Sequence, residues 1–296
     1  MSQTRSRSRA FLMLGALVLG SSGLLALLLM RPGLLRQSQA GPESIPIRQP
    51  EPMDARSALL NALDSHPLVA LSESHGMKEE AEFINSLLRH PDFPKKANAI
   101  VLEAANAIHQ KLIDDYVNGA VLSLDELRRA WRDHTCAALG PRDSSSLEEF
   151  FATVRDVNRR LPPANRIRVL AGDPPIDWAK VTKKEDVSPW LAQRDSHYAR
   201  VVETEVLAKN RRALLVIGGV HLDRGPLPNG DPNAGLMMQI IEHDYPGKTF
   251  IVFPHEGFGA HNAAWEPKLS AWPRPSMALI AGTWQALPKR AAGEDV

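Results

Sequence analysis

Apolar positions along this chain follow two rhythms. Five short continuous runs, at residues 68–72, 99–102, 167–171, 213–217 and 249–253, have the length and composition of strands buried on both faces. Between them, apolar residues recur at helical spacing, predicting helices over 54–63, 77–89, 107–117, 188–209 and 234–243. Ile108, Leu112 and Ile113 are the positions of the third helix that would face a sheet. Two further helices, 124–137 and 146–161, follow one another with no strand between them. Ser146 and Glu149 have the spacing of a capping box, and Ser188-Pro189 reads as an N-cap followed by proline at the first helical position. A last strand is expected at 277–281. Strands alternating with helices imply an α/β fold, with a mostly parallel sheet covered by helices on both faces. The helical pair is an insertion in that alternation, placed where a lid over the site would be.

A different pattern precedes this body. Residues 10–30 are uncharged and almost wholly apolar, and Arg5, Arg7 and Arg9 come before them. As a helix, 21 residues would span about 30 Å, one hydrocarbon core. The reading is a basic cytoplasmic stretch (1–9), a transmembrane signal-anchor (10–30), a proline-rich linker (31–52) and an α/β domain (53–296). A cleaved signal peptide is the alternative, since Ser38-Gln39-Ala40 resembles a cleavage site, although the apolar run is long for one and Ala40 lies far beyond its end. Either route places the body outside the inner membrane, on the periplasmic side.

Charge narrows the partners. Six arginines and two glutamates in residues 1–52 make +4 of a formal total of +1, leaving −3 for the remainder. A mildly acidic body lacks the basic footprint of a nucleic-acid binder. One cysteine, Cys136, excludes an intrachain disulfide and a cysteine-based zinc site, and its Ala- and Leu-rich surroundings suggest inert packing. There is no P-loop, no GxGxxG and no GxSxG elbow.

The candidate chemistry gathers where the apolar runs stop. The first ends in Glu73 and His75, the second in Glu103, the third in Asp173, the fourth in His221, and the fifth in His255 and Glu256. Parallel strands bring all of these to one edge, the edge at which open α/β sheets bind ligands. Imidazoles with carboxylates suit a divalent metal such as zinc, manganese or iron. They equally suit general acid–base catalysis without metal. Both routes lead to hydrolysis of a small-molecule or peptide substrate. Plainer roles compete at each position: Glu103 as the partner of an arginine at a helix start, Asp173 as a turn residue before two prolines, and His197, His255 and His261 as loop or core histidines. The six tryptophans read as core or rim.

Ser72-Glu73-Ser74-His75-Gly76, Glu103, Arg194-Asp195 and Gly218-Gly219-Val220-His221 together resemble the superfamily that joins erythromycin esterases, ChaN-like haem-binding proteins and TIKI/TraB proteins. The resemblance spans about residues 66–253. It implies an α/β sandwich whose edge cleft is lined by Glu73, His75, Glu103 and His221, with Arg194 balancing charge. The activities it implies diverge: metal-free ester hydrolysis, metal-dependent proteolysis and haem binding. The expectation is a hydrolase with His75 as general base, Glu73 orienting it, and His221 with Glu103 holding a metal or stabilising an oxyanion. The rival is a haem or metal carrier without turnover, with His75, His221 or Tyr198 as axial ligand and His75, Glu103 and His221 as metal ligands. Two departures stand out. Ser72 occupies a place usually held by glycine, and His197-Tyr198 stands where relatives commonly carry Met-Ala, adding a polar group to the cleft.

Overall fold

The computed structural model describes residues 48–136, 144–255 and 265–281. The expected anchor at 10–30, Glu256, His261 and Trp284 lie outside them. Among the described residues no helix is long and apolar enough to cross a membrane.

Five parallel strands form the central sheet: β2 (Leu68–Glu73), β3 (Ala99–Asn106), β4 (Arg168–Asp173), β5 (Ala213–Gly218) and β6 (Thr249–Val252), in the spatial order β4-β3-β5-β2-β6. Their starts are level, Leu68 lying opposite both Ala213 and Thr249, and Ala99 also opposite Ala213. Alternation of side chains along each strand divides the core in two. Val69, Leu71, Ile100, Leu102, Val169, Leu214 and Val216 face one helical layer. Leu68, Ala70, Val101, Leu170, Leu215 and Ile217 face the other. This is why the strand runs are apolar without interruption.

The first layer contains α1 (Ala55–Ser65), α2 (Lys78–Leu88), α4 (Gln110–Val117), α5 (Leu124–Arg132) and α6 (Ser145–Asn158), with the short α3 (Phe93–Lys96) beside them. The second is built from α8 (Arg194–Val202) and α9 (Met237–Asp244). Asp54 caps α1 by accepting the Ser57 N–H at 2.9 Å. The expected helical insertion, α5 with α6, is part of the first layer: Leu127, Ala130, Trp131, Phe150, Phe151 and Val154 are all buried in its core, and Trp131 stacks on Phe151 at 5.5 Å.

Several boundaries move. The capping box lies at Ser123–Glu126, at the start of α5. α6 begins earlier than the Ser146 spacing suggests, because Ser144 is its N-cap. The helix expected over 107–117 opens with a 3-10 turn, Ala107–His109, which leaves Ile108 exposed while Ile113 is buried. The single helix expected from 188 to 209 is three pieces: α7 (Ser188–Ala192), α8, and a π-helical turn over Glu203–Leu207. Between α7 and α8 the Gln193 backbone leaves helical geometry, with φ −98° and ψ 1°. The last strand, β7 (Ser276–Met277), pairs antiparallel with β1 (Met53–Asp54) and stays outside the main sheet.

The strand order creates a crevice. The connection leaving β3 leads outward to β4, whereas the one leaving β5 crosses β2 to reach β6. The chain therefore diverges beyond the carboxyl ends of β3 and β5, and a ligand cleft opens at such a switch point.

Candidate functional site

Glu103 stands in that crevice, next to an irregularity in the β3–β4 register between Leu102 and Asn106. Its Oε2 accepts the Gly218 N–H from the end of β5 at 2.5 Å, and its Oε1 accepts Arg194 Nη2 at 2.7 Å. A Cβ on Gly218 would come within 3.2 Å of Oε2, so the glycine is what lets the carboxylate reach the backbone. Arg194 opens α8, and its Nε donates to the Tyr198 hydroxyl at 2.9 Å and lies 3.5 Å from Asp173 Oδ1. The plainer role of Glu103, partner to an arginine at a helix start, is what the fold uses.

His221 sits on the 3-10 turn Gly219–Leu222 that follows β5. Its Nδ1–H donates to Asp195 Oδ1 at 2.7 Å, and its Nε2 lies 3.6 Å from Glu103 Oε1. The same Asp195 oxygen accepts the Met237 N–H at 2.8 Å, joining the start of α9 to the start of α8. The Tyr198 ring meets the His221 ring edge-on at 5.2 Å. Asp173, fully buried, accepts the Thr135 N–H at 2.6 Å and the Thr135 hydroxyl at 2.7 Å. Glu103, Asp173, Arg194, Tyr198 and His221 therefore form one connected cluster. Asp195 and Thr135 complete it, and sequence reasoning assigned neither of them a role there.

The charges of the cluster settle one another. Burial pushes the Glu103 carboxyl up, but the His221 imidazolium, the Gly218 N–H and Arg194 outweigh it and hold it at about 2. Burial pulls His221 down, but Asp195 and Glu103 reverse this and raise it to about 9. His221 is thus a cation between two carboxylates at neutral pH. At Asp173 burial wins over the Thr135 bonds and Arg194, with Glu103 adding to the rise, and the carboxyl is pushed up to about 6. Burial, with Glu103 and Asp173, lifts the Tyr198 phenol well above its ordinary value.

A pH dependence of stability follows from His221. Its folded value lies above the free value, so its contribution is complete below about 6.5 and is lost as pH rises through about 9. The size is on the order of 3 kcal/mol. Urea midpoints taken across this range are expected to fall in the wild type and to fall less in His221→Gln; parallel profiles contradict the buried imidazolium.

Glu73 and His75 form a more exposed pair at the same edge. His75 Nδ1–H donates to Glu73 Oε2 at 2.5 Å, and the His75 side chain is 54% exposed. Glu73 lies opposite Gly218 in the β2–β5 register. Gly76, with φ +87°, makes the turn toward α2 (the left-handed region that favours glycine). Ser72 is buried, and its Oγ would lie 2.8 Å from a Cβ on Gly219. The glycine pair Gly218-Gly219 at the end of β5 thus accommodates protein side chains, Glu103 and Ser72.

Other expected residues have other tasks. His197 is buried and donates Nδ1–H to the Gly172 carbonyl at 2.6 Å, so of the His197-Tyr198 pair only Tyr198 joins the cluster. His255 pairs with Glu266 at 2.7 Å. Cys136 is half-buried. A Cβ on Gly172 would lie 3.0 Å from the Leu102 carbonyl oxygen and 3.2 Å from the Tyr198 ring. Gly172→Ala is expected to cost about 1–3 kcal/mol in a denaturation measurement, because neither backbone nor ring has room to yield.

The expected metal set does not assemble. Among the described residues no three His, Cys, Asp or Glu side chains converge as ligands for one ion. His221 faces carboxylates through both nitrogens, and Glu103 is bonded by Arg194 and Gly218. Nor does Tyr198 suit a haem iron, because its phenol is fully buried between Arg194 and Asp173.

No family model matches the chain, and no curated protein matches it. Two solved structures are similar. The type III effector HopBA1 is 12% identical, with 73% of this chain and 90% of that one covered and a TM-score of 0.45. The haem-binding ChaN of Campylobacter jejuni is 16% identical, with 68% and 86% covered and a TM-score of 0.41.

Proposed function

We propose that this protein is a hydrolase of ester or peptide bonds that uses His75 as general base. The observation that supports this reading most is the 2.5 Å bond between Glu73 and the half-exposed His75 at the carboxyl edge of the sheet. An ionised carboxylate only accepts, so the proton of that bond sits on Nδ1. With Nδ1 bonded to Glu73, Nε2 is the ring atom that takes a proton from water in this reading. Glu73 fixes this tautomer and stabilises the imidazolium that forms. The buried cluster has a different part. Glu103, Arg194, His221 and Asp195 neutralise one another and tie β3, β5, α8 and α9 together, which holds the β5 turn rigid beside the dyad. They are positioning residues.

Export and anchoring belong to the same proposal and rest on the uncharged segment 10–30 with its preceding arginines. The test is turnover by the full chain on panels of carboxylic esters and peptides, with an absorption spectrum of the purified protein. Hydrolysis that weakens in Glu73→Gln supports the reading. Stoichiometric haem with no turnover on either panel overturns it.

A further inference from the structure

Two large apolar side chains stand exposed at the edge that carries the dyad. Val220 is 67% exposed and Phe253 is 43% exposed. Phe253 directly follows β6, whose Val252 pairs with Leu71, so Phe253 runs alongside Ser72. Its ring would lie 3.5 Å from a Cβ on Gly219, and Val220 is the next residue. Phe253, Gly219 and Ser72 are therefore neighbours, one residue from Glu73 and from Val220. Exposed apolar side chains grouped beside polar reactive groups mark a ligand site, since such sites are mostly apolar with a few placed polar atoms.

The electrostatics select the ligand further. Arg194 is bonded to Glu103, and His221 lies between Asp195 and Glu103. Neither of the two cations of the cluster is left to receive a carboxylate or phosphate. Glu73 adds negative charge at the dyad, which repels an anion.

We propose that the substrate is an uncharged carboxylic ester whose apolar acyl group lies against Phe253 and Val220. This rests on the hydrolase reading. Water adds to the acyl carbon as His75 takes its proton. The ester C–O bond then breaks, the alcohol leaves with that proton, and the products are a carboxylic acid and an alcohol.

The experiment compares 4-nitrophenyl acetate with 4-nitrophenyl octanoate on the wild type, Phe253→Ser and Val220→Ser. The wild type is expected to favour octanoate by about 10-fold or more in kcat/KM, since each buried methylene adds to binding. Each serine variant is expected to shrink that preference about 10-fold, through KM. Acetate turnover with no preference for octanoate, or a preference the variants retain, overturns the apolar acyl site and leaves hydrolysis standing. If neither ester turns over, the ester form of the hydrolase reading fails, and calorimetry with N-methyloctanamide, an uncharged amide that carries the octanoyl group, decides the rest. Binding that Phe253→Ser abolishes supports the apolar site, and no binding to the wild type overturns it.

Discussion

Arg194→Met is expected to destabilise the fold by about 3–5 kcal/mol, the cost of leaving buried charges without their partner. Arg194 is the cation that Glu103 and Asp173 share, and their side chains are only 9% and 1% exposed. Methionine fills the volume but leaves Glu103 Oε1, the Tyr198 hydroxyl and Asp173 Oδ1 without the guanidinium. At about 2–4 °C per kcal/mol for a domain of this size, the thermal midpoint drops by roughly 10 °C. The deficit also depends on pH, with a definite sign. Arg194 stabilises Asp173 only while that carboxyl is ionised, and burial already pushes it up to about 6. Near pH 8 the full deficit is expected; near pH 5, where Asp173 takes up a proton, it is smaller. Arg194→Lys keeps the charge but not the fork that reaches Glu103 and Tyr198 together, so it falls between the two. Urea titrations of the three proteins at both pH values check this, and an Arg194→Met protein as stable as the wild type contradicts the shared-cation description.

The edge was readable before the cluster was. Each strand ended in the sequence where its apolar run met an acid, an imidazole or a glycine. β2 at Glu73, β4 at Asp173 and β5 at Gly218 stop within two residues of those points. That much is local: burial on both faces demands uninterrupted apolar residues, and parallel pairing puts every exit on one side. Which exit residues touch is not local. Asp195 meets His221 across 26 positions and Thr135 meets Asp173 across 38, and no spacing rule connects such pairs. The charge state of His221 was hidden for the same reason, because it is set by carboxylates from β3 and α8. The break at Gln193 was invisible too. The apolar spacing continues through it, yet the break sets the start of α8, from which Arg194 and Asp195 reach Glu103 and His221. β7 is shorter than the strand expected at 277–281, covering Ser276–Met277, because an apolar run does not say how many of its residues will find a pairing partner.

His75→Ala is expected to lower kcat by about 100- to 10,000-fold, the usual contribution of a positioned general base. Its cost in stability is expected to be small, because the side chain is more than half exposed. That contrast separates it from the buried cluster, where a substitution such as Arg194→Met acts on folding and on activity together. Glu73→Gln gives an intermediate loss: the ring remains, but the amide neither selects the tautomer as strongly nor stabilises the imidazolium. Exposure also permits a sharper check. Truncating His75 leaves an opening at the protein surface large enough for a free imidazole, so added imidazole is expected to restore part of the turnover in His75→Ala. The wild type should not respond, and neither should Arg194→Met, whose defect lies in the fold. Full turnover by His75→Ala without added imidazole removes the dyad from the reaction.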